Sequence, residues 1–171
     1  MSASNILLMI STICVALMSG LFYSYSCSVS PELARLPDEH YISAMQSINR
    51  AIQNPIFFIS FFGCLLLLPI TTYLKYSQPV SLAFWLLLCA TIIYFLGAFL
   101  ATVFGNIPLN NMLDKFDIAK QSNDVIAAKR TLFGLKWNRL NYVRTISSLL
   151  ALICTVIACV HAYGNGATIN S

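Results

Sequence analysis

Four long apolar runs, divided by two long polar connections and one short turn, set the pattern of this chain. The first covers residues 5–26 and is long enough, at about 1.5 Å per residue, to cross a hydrocarbon core of about 30 Å. Residues 1–13 hold no Lys or Arg, so the run lacks the basic start of a cleaved leader and reads as a retained span. The second run, residues 55–73, opens at Asn54-Pro55, where Asn suits the N-cap and Pro the first helical position. Pro69 is expected to kink its last turn. Lys75 to Gln78 is too short a turn to join anything but antiparallel neighbours. The third run, residues 79–104, is opened by Pro79. Gly105 then reads as a C-terminal stop, and Asn106-Ile107-Pro108 as a break, because the residue before proline avoids helical angles. The fourth run covers residues 141–163.

The long connections carry their own periodicity. After Pro37-Asp38-Glu39, a helix start with acids in its first turn, Ile42, Met45, Ile48 and Ile52 recur at helical spacing, with Gln46, Asn49, Arg50 and Gln53 on the other side. This predicts a short amphipathic helix, at the membrane interface or packed on the bundle. Residues 110–121 predict a second one, with Met112, Leu113 and Phe116 on one side. Ser122-Asn123-Asp124 restarts the chain as a cap, and the helix that follows is expected to run through Trp137 into the fourth span. The fold expected is all-α: one domain over residues 1–171, an integral membrane four-helix bundle with short amphipathic helices in the first and third connections.

Composition agrees. Apolar residues make up 58% and charged residues 9%, against about 25% charged in soluble domains, and the mean hydropathy is +0.74. The placement of charge matters more than its sum of +4. Nine of the ten Lys and Arg residues belong to the first and third connections and the start of the fourth span, leaving only Lys75 on the other side. The positive-inside rule then puts both long connections in the cytoplasm, with the termini and the Lys75 turn outside a cell (inner) membrane. The partners expected are the lipid bilayer and a lipophilic aromatic or lipid ligand; a homo-oligomer is allowed. No basic cluster with interleaved aromatics is present, which excludes nucleic acid.

Metal chemistry finds little support. His40 and His161 fall at opposite ends of the bundle, too far apart to share a metal or a haem. The six cysteines form no CxxC pair; Cys14, Cys64, Cys89 and Cys154 fall mid-span in different helices and read as small packing residues. The amides and one arginine are the better candidates. Asn106 and Asn110 flank Pro108, and Trp137, Asn141 and Arg144 share one helix face at i, i+4 and i+7. Gln46 and Asn49 come from the first connection, and all lie at one membrane depth. They read either as helix caps, with Arg144 snorkelling to headgroups, or as a polar pocket at the cytoplasmic mouth of the bundle.

Three stretches, MQSINRAIQNP (Met45–Pro55), FGNIPLNNML (Phe104–Leu113) and WNRLNYVRT (Trp137–Thr145), resemble the signature stretches of the anthrone oxygenase family, small four-span membrane proteins. The family often has a second Trp where this chain has Leu140, which removes an aromatic wall. The resemblance implies oxidation of an anthrone to an anthraquinone with dioxygen, without metal or flavin. An anthrone is acidic at its central carbon, and its carbanion reacts with dioxygen directly. Such a site needs an apolar slot, donors for the enolate oxygen and a base. Asn141 and Arg144, with Asn106, are the expected donors and His40 the expected base; Gln46, Asn49, Asn106, Asn110 and Trp137 are the expected substrate contacts. The competing expectation is a non-enzymatic membrane protein that binds a lipid or a partner protein through this polar cap. Transport is disfavoured, since the spans carry no ionisable residue apart from the terminal Arg144 and His161.

Overall fold

The computed structural model describes residues 2–77 and 79–167, the last five by backbone alone, so Gln78 at the end of the expected turn lies outside the described residues. Five helices carry the fold: α1 (Ala3–Leu33), α2 (Asp38–Ala51), α3 (Pro55–Leu74), α4 (Leu82–Asp114) and α5 (Asn123–Ala167). Four of them, all but α2, are long and apolar enough to cross a membrane. The all-helical bundle expected from the apolar pattern is the architecture observed.

Several boundaries differ from expectation, each for a local reason. Asn54 caps α3 as expected, its side chain accepting from the Phe57 N–H at 3.0 Å. The third span starts at Leu82 rather than Pro79, because Ser81 supplies the N-cap and accepts from the Phe84 N–H at 3.3 Å. The first span does not stop near Ser26; it continues to Leu33. Two serines of this extension are held by α5: Ser26 meets Thr145 at 2.8 Å, and Ser30 donates to Asn138 at 2.8 Å.

The third span does not end near Phe104 either. Gly105 is no stop and Asn106-Ile107-Pro108 no break; α4 runs on to Asp114. Its backbone widens to an i→i+5 turn over Thr102–Asn106, where the Ile107 N–H bonds the Thr102 carbonyl. A wide turn frees the helix from the hydrogen bond that Pro108 cannot make. The same device precedes Pro31 in α1, where the Ser30 N–H bonds the Tyr25 carbonyl across Tyr25–Val29. A further wide turn covers Tyr94–Phe99. The amphipathic helix expected over 110–121 is therefore only the tail of α4, followed by one turn at Ile118–Lys120.

Consecutive spans run antiparallel. Close approach between α4 and α5 depends on Gly97, where a Cβ would sit 1.9 Å from the Ser147 hydroxyl. Lys75 of the short loop donates to Asn5 and ties that loop to the start of α1. At the opposite, basic end, α2 packs on the bundle. Tyr41, Ile42 and Met45 are buried with Leu33, Leu113, Ile126, Phe133 and Trp137. Burial of each large side chain is worth roughly 1.5–3 kcal/mol where water is the alternative. Arg130 pairs with Asp38 and donates to the Ala34 carbonyl at 2.6 Å, which pins the start of α2 to α5.

Candidate functional site

Beneath α2, at the basic end, the four spans part around a cavity of ≈ 200 Å³. α1 contributes Phe22 and Tyr25, and α3 the aromatic run Phe57, Phe58, Phe61 and Phe62. Thr102, Val103 and Asn106 come from the widened part of α4, Ile107 and Asn110 from the regular turns after it, and Trp137, Asn141 and Arg144 from α5. Asn49 of α2, with Ile52 and Gln53 just beyond that helix, closes the end. The spacing of Trp137, Asn141 and Arg144 puts all three on the cavity side, buried to 4%, 2% and 7% exposure.

A chain of hydrogen bonds orients these groups. Trp137 Nε1 donates to Asn110 Oδ1 at 2.8 Å, which joins α5 to α4. Arg144 Nη2 donates to Asn141 Oδ1 at 2.8 Å, and Asn141 Nδ2 donates to Ser26 Oγ at 2.7 Å. Thr145 donates its hydroxyl toward the Phe22 carbonyl at 3.0 Å and anchors the same crossing. The Arg144 guanidinium lies 4.6 Å from the centre of the Phe22 ring and 5.2 Å from that of Trp137, so aromatic faces shelter its charge. Tyr25 and Trp137 pack at 4.7 Å between centroids.

Three buried polar atoms on this lining have no protein partner: Asn49 Nδ2, Asn106 Oδ1 and Arg144 Nε. One other such atom among the described residues, Ser19 Oγ, lies outside the lining. None of the four ion pairs among the described residues includes Arg144. A buried cation without a counter-ion is costly. Here the residues that carry these atoms line a space walled by aromatic rings. The lining thus combines aromatic faces with one buried cation.

A second cavity of ≈ 270 Å³ lies toward the other end between α3 and α4, lined by Cys64, Leu65, Leu68, Pro69, Thr91, Tyr94 and Phe95. Both of its hydroxyls have partners: Thr91 bonds the Leu87 carbonyl at 2.7 Å and Tyr94 the Phe61 carbonyl at 3.4 Å.

Of the residues expected at a site, Asn49, Asn106, Asn110, Trp137, Asn141 and Arg144 are brought together on one lining. Gln46 is not: its side-chain amide donates to the Leu113 and Phe116 carbonyls at 2.8 and 2.9 Å and ties α2 to the end of α4. His40 is exposed on α2 and does not line the cavity. Leu140 is not a lost wall, because its side chain packs on Gly105, where a Cβ would come within 2.7 Å of its methyl group. The aromatic wall comes instead from α1 and α3, which the amide pattern does not mark. Asn54 at the head of the run IFFISFF was the available signal, since it places Phe57 to Phe62 at the depth of the amides. No three His, Cys, Asp or Glu side chains converge among the described residues.

The family model described as anthrone oxygenase matches residues 47–154. That stretch holds the whole lining except Leu21, Phe22 and Tyr25. No curated protein and no solved structure matches the chain. With more than half of its length under one family model, this chain belongs to the anthrone oxygenase family.

Proposed function

We propose that the cavity binds a flat lipophilic anthrone and that the protein oxidises it to the anthraquinone with dioxygen, without metal or flavin. The observation that carries this reading is the Arg144 guanidinium, buried, unpaired by any carboxylate, and facing an aromatic slot. Loss of a proton from the central carbon of the anthrone gives an enolate whose oxygen turns toward the Arg144 guanidinium. A unit charge about 4 Å away stabilises it by on the order of 4 kcal/mol at an effective dielectric near 20. That favours ionisation in a site whose lining has neither carboxylate nor imidazole. The proton leaves to water at the polar mouth formed by Gln53 and Asn111.

The enolate gives one electron to dioxygen, and the radical pair joins as a carbon–oxygen bond, forming a peroxide at the same carbon. Loss of the remaining hydrogen of that carbon as a proton breaks the O–O bond. The carbonyl forms and hydroxide leaves as water. One anthrone and one dioxygen thus give one anthraquinone and one water. The protein supplies orientation, exclusion of water and a fixed positive charge where negative charge develops.

The test is oxygen consumption by purified protein given an anthrone, with the anthraquinone counted by chromatography. One-to-one uptake that Arg144→Gln abolishes supports the reading. A rate equal to that of protein-free buffer, together with a co-purifying lipid held in the cavity, would move the assignment to non-enzymatic lipid binding.

A further inference from the structure

The cavity's walls are not equally buried. On the α5 side they are closed, with Trp137, Asn141 and Arg144 all under a tenth exposed. On the α3 and α4 side the lining is also the outer surface of the bundle: Phe62 is 45% exposed and Ile107 44%, with Phe58 at 39%. Phe58, Phe62, Leu65 and Pro69 follow one stripe of α3 at helical spacing. The last two line the second cavity together with Thr91 and Phe95 of α4, so the stripe faces α4. At mid-height the two helices meet through Phe61 stacked on Phe99 at 5.8 Å. Below that contact they part, and the space between them is the cavity. The polar end is narrower in kind: Asn49, Gln53 and Asn111 stand there beneath α2.

We infer that the ligand reaches the cavity sideways from the bilayer, between Phe58 and Phe62 of α3 and Val103 and Ile107 of α4, while the polar end passes only water and protons. This rests on the reading above that the ligand is flat and lipophilic. A neutral tricyclic aromatic is concentrated in the bilayer and reaches a lipid-facing gap without being transferred into water. The amides at the polar end would have to give up water to admit it. The wide turn at Thr102–Asn106 sits on one side of the gap and brings Val103 and Asn106 to the same opening, one apolar at the rim and one polar behind it.

The test uses the full chain in lipid vesicles, with Trp85→Phe so that Trp137 is the sole tryptophan, and anthraquinone as a flat quencher. Quenching of Trp137 followed by stopped flow should track the mole fraction of anthraquinone in the lipid, not its aqueous concentration. Val103→Phe and Ile107→Phe, which crowd the gap, should slow both quenching and its reversal by a factor of about ten. Phe62→Ala should speed both. Ile59→Phe, on the lipid face of α3 at 71% exposure and outside the lining, should change neither. Rates that follow aqueous anthraquinone at fixed mole fraction would overturn the lateral route. So would gap variants indistinguishable from Ile59→Phe while quenching persists. Failure of anthraquinone to quench Trp137 at any loading would sink the ligand reading itself, and this inference with it.

Discussion

Two cavities lie along the seam between α3 and α4, and the larger is the less informative. The far one, ≈ 270 Å³, has apolar walls, and its two hydroxyls bond helix carbonyls. Around it the helices are joined by satisfied pairs, Ser11 with Thr71 at 2.9 Å and Thr72 with Thr91 at 3.0 Å. The one at the basic end, ≈ 200 Å³, is lined by three residues that each carry a buried polar atom with no partner, and one of them, Arg144, is a cation with no counter-ion among the described residues. Volume alone marks imperfect packing, which lipid or a shifted side chain can fill. Unmet polar groups in a membrane protein are costly and persist where something outside the chain completes them. The contrast separates hydrogen bonds that hold helices together from buried polar groups that the fold leaves without a partner.

The sharpest way to break that contrast is Arg144→Gln. On the proposed reaction, removing this charge should cost at least about 100-fold in oxygen uptake, while thermal unfolding in detergent moves by only a few degrees. If activity and stability fall in step, the basic-end cavity is no different in kind from the other. Next is Gly97→Val at the α4–α5 crossing, where a Cβ already collides with Ser147. Overpacking there should lower stability by about 1–3 kcal/mol, read as loss of folded yield and melting temperature. Asn141→Ala removes the groups that hold Arg144 and Ser26. A stability loss of about 1–2 kcal/mol is expected, with a fall in oxygen uptake larger than the unfolded fraction explains. The smallest effect belongs to the far half. Thr72→Val breaks its bond to Thr91 and should cost about 0.6 kcal/mol with oxygen uptake unchanged. An activity loss there would show that the two halves are coupled.

What could be read without coordinates follows from what a sequence encodes directly. Span number, the cap at Asn54, the amphipathic α2 and the unbroken run of α5 through Trp137 rest on composition and helical period. Depth is legible too, which is why Asn49, Asn106, Asn110, Trp137, Asn141 and Arg144 can be grouped from the sequence and are found on one lining. Direction around the bundle is not. Gln46 shares their depth but turns to the Leu113 and Phe116 carbonyls, and His40 turns outward. Phe57 and Phe61 face the cavity while Ile56 and Ile59 face outward, and all four are apolar. Residue type cannot separate them when the solvent is itself apolar. Gly105 and Pro108 misled because their breaking tendency assumes a regular helix, and a wide turn removes the bond that proline would otherwise lose.

That wide turn also has a meaning as rotation. One residue of an α-helix advances the side chains by about 100°, so the extra residue over Thr102–Asn106 sets the angular phase of everything beyond it. Phe104 at its centre is 76% exposed. Deleting it would leave an apolar helix of nearly the same length, and no hydropathy profile would register the change. Yet Asn110 would swing more than a quarter turn away from Trp137, and Leu113 away from Gln46. The phase would be wrong in a helix that remained whole.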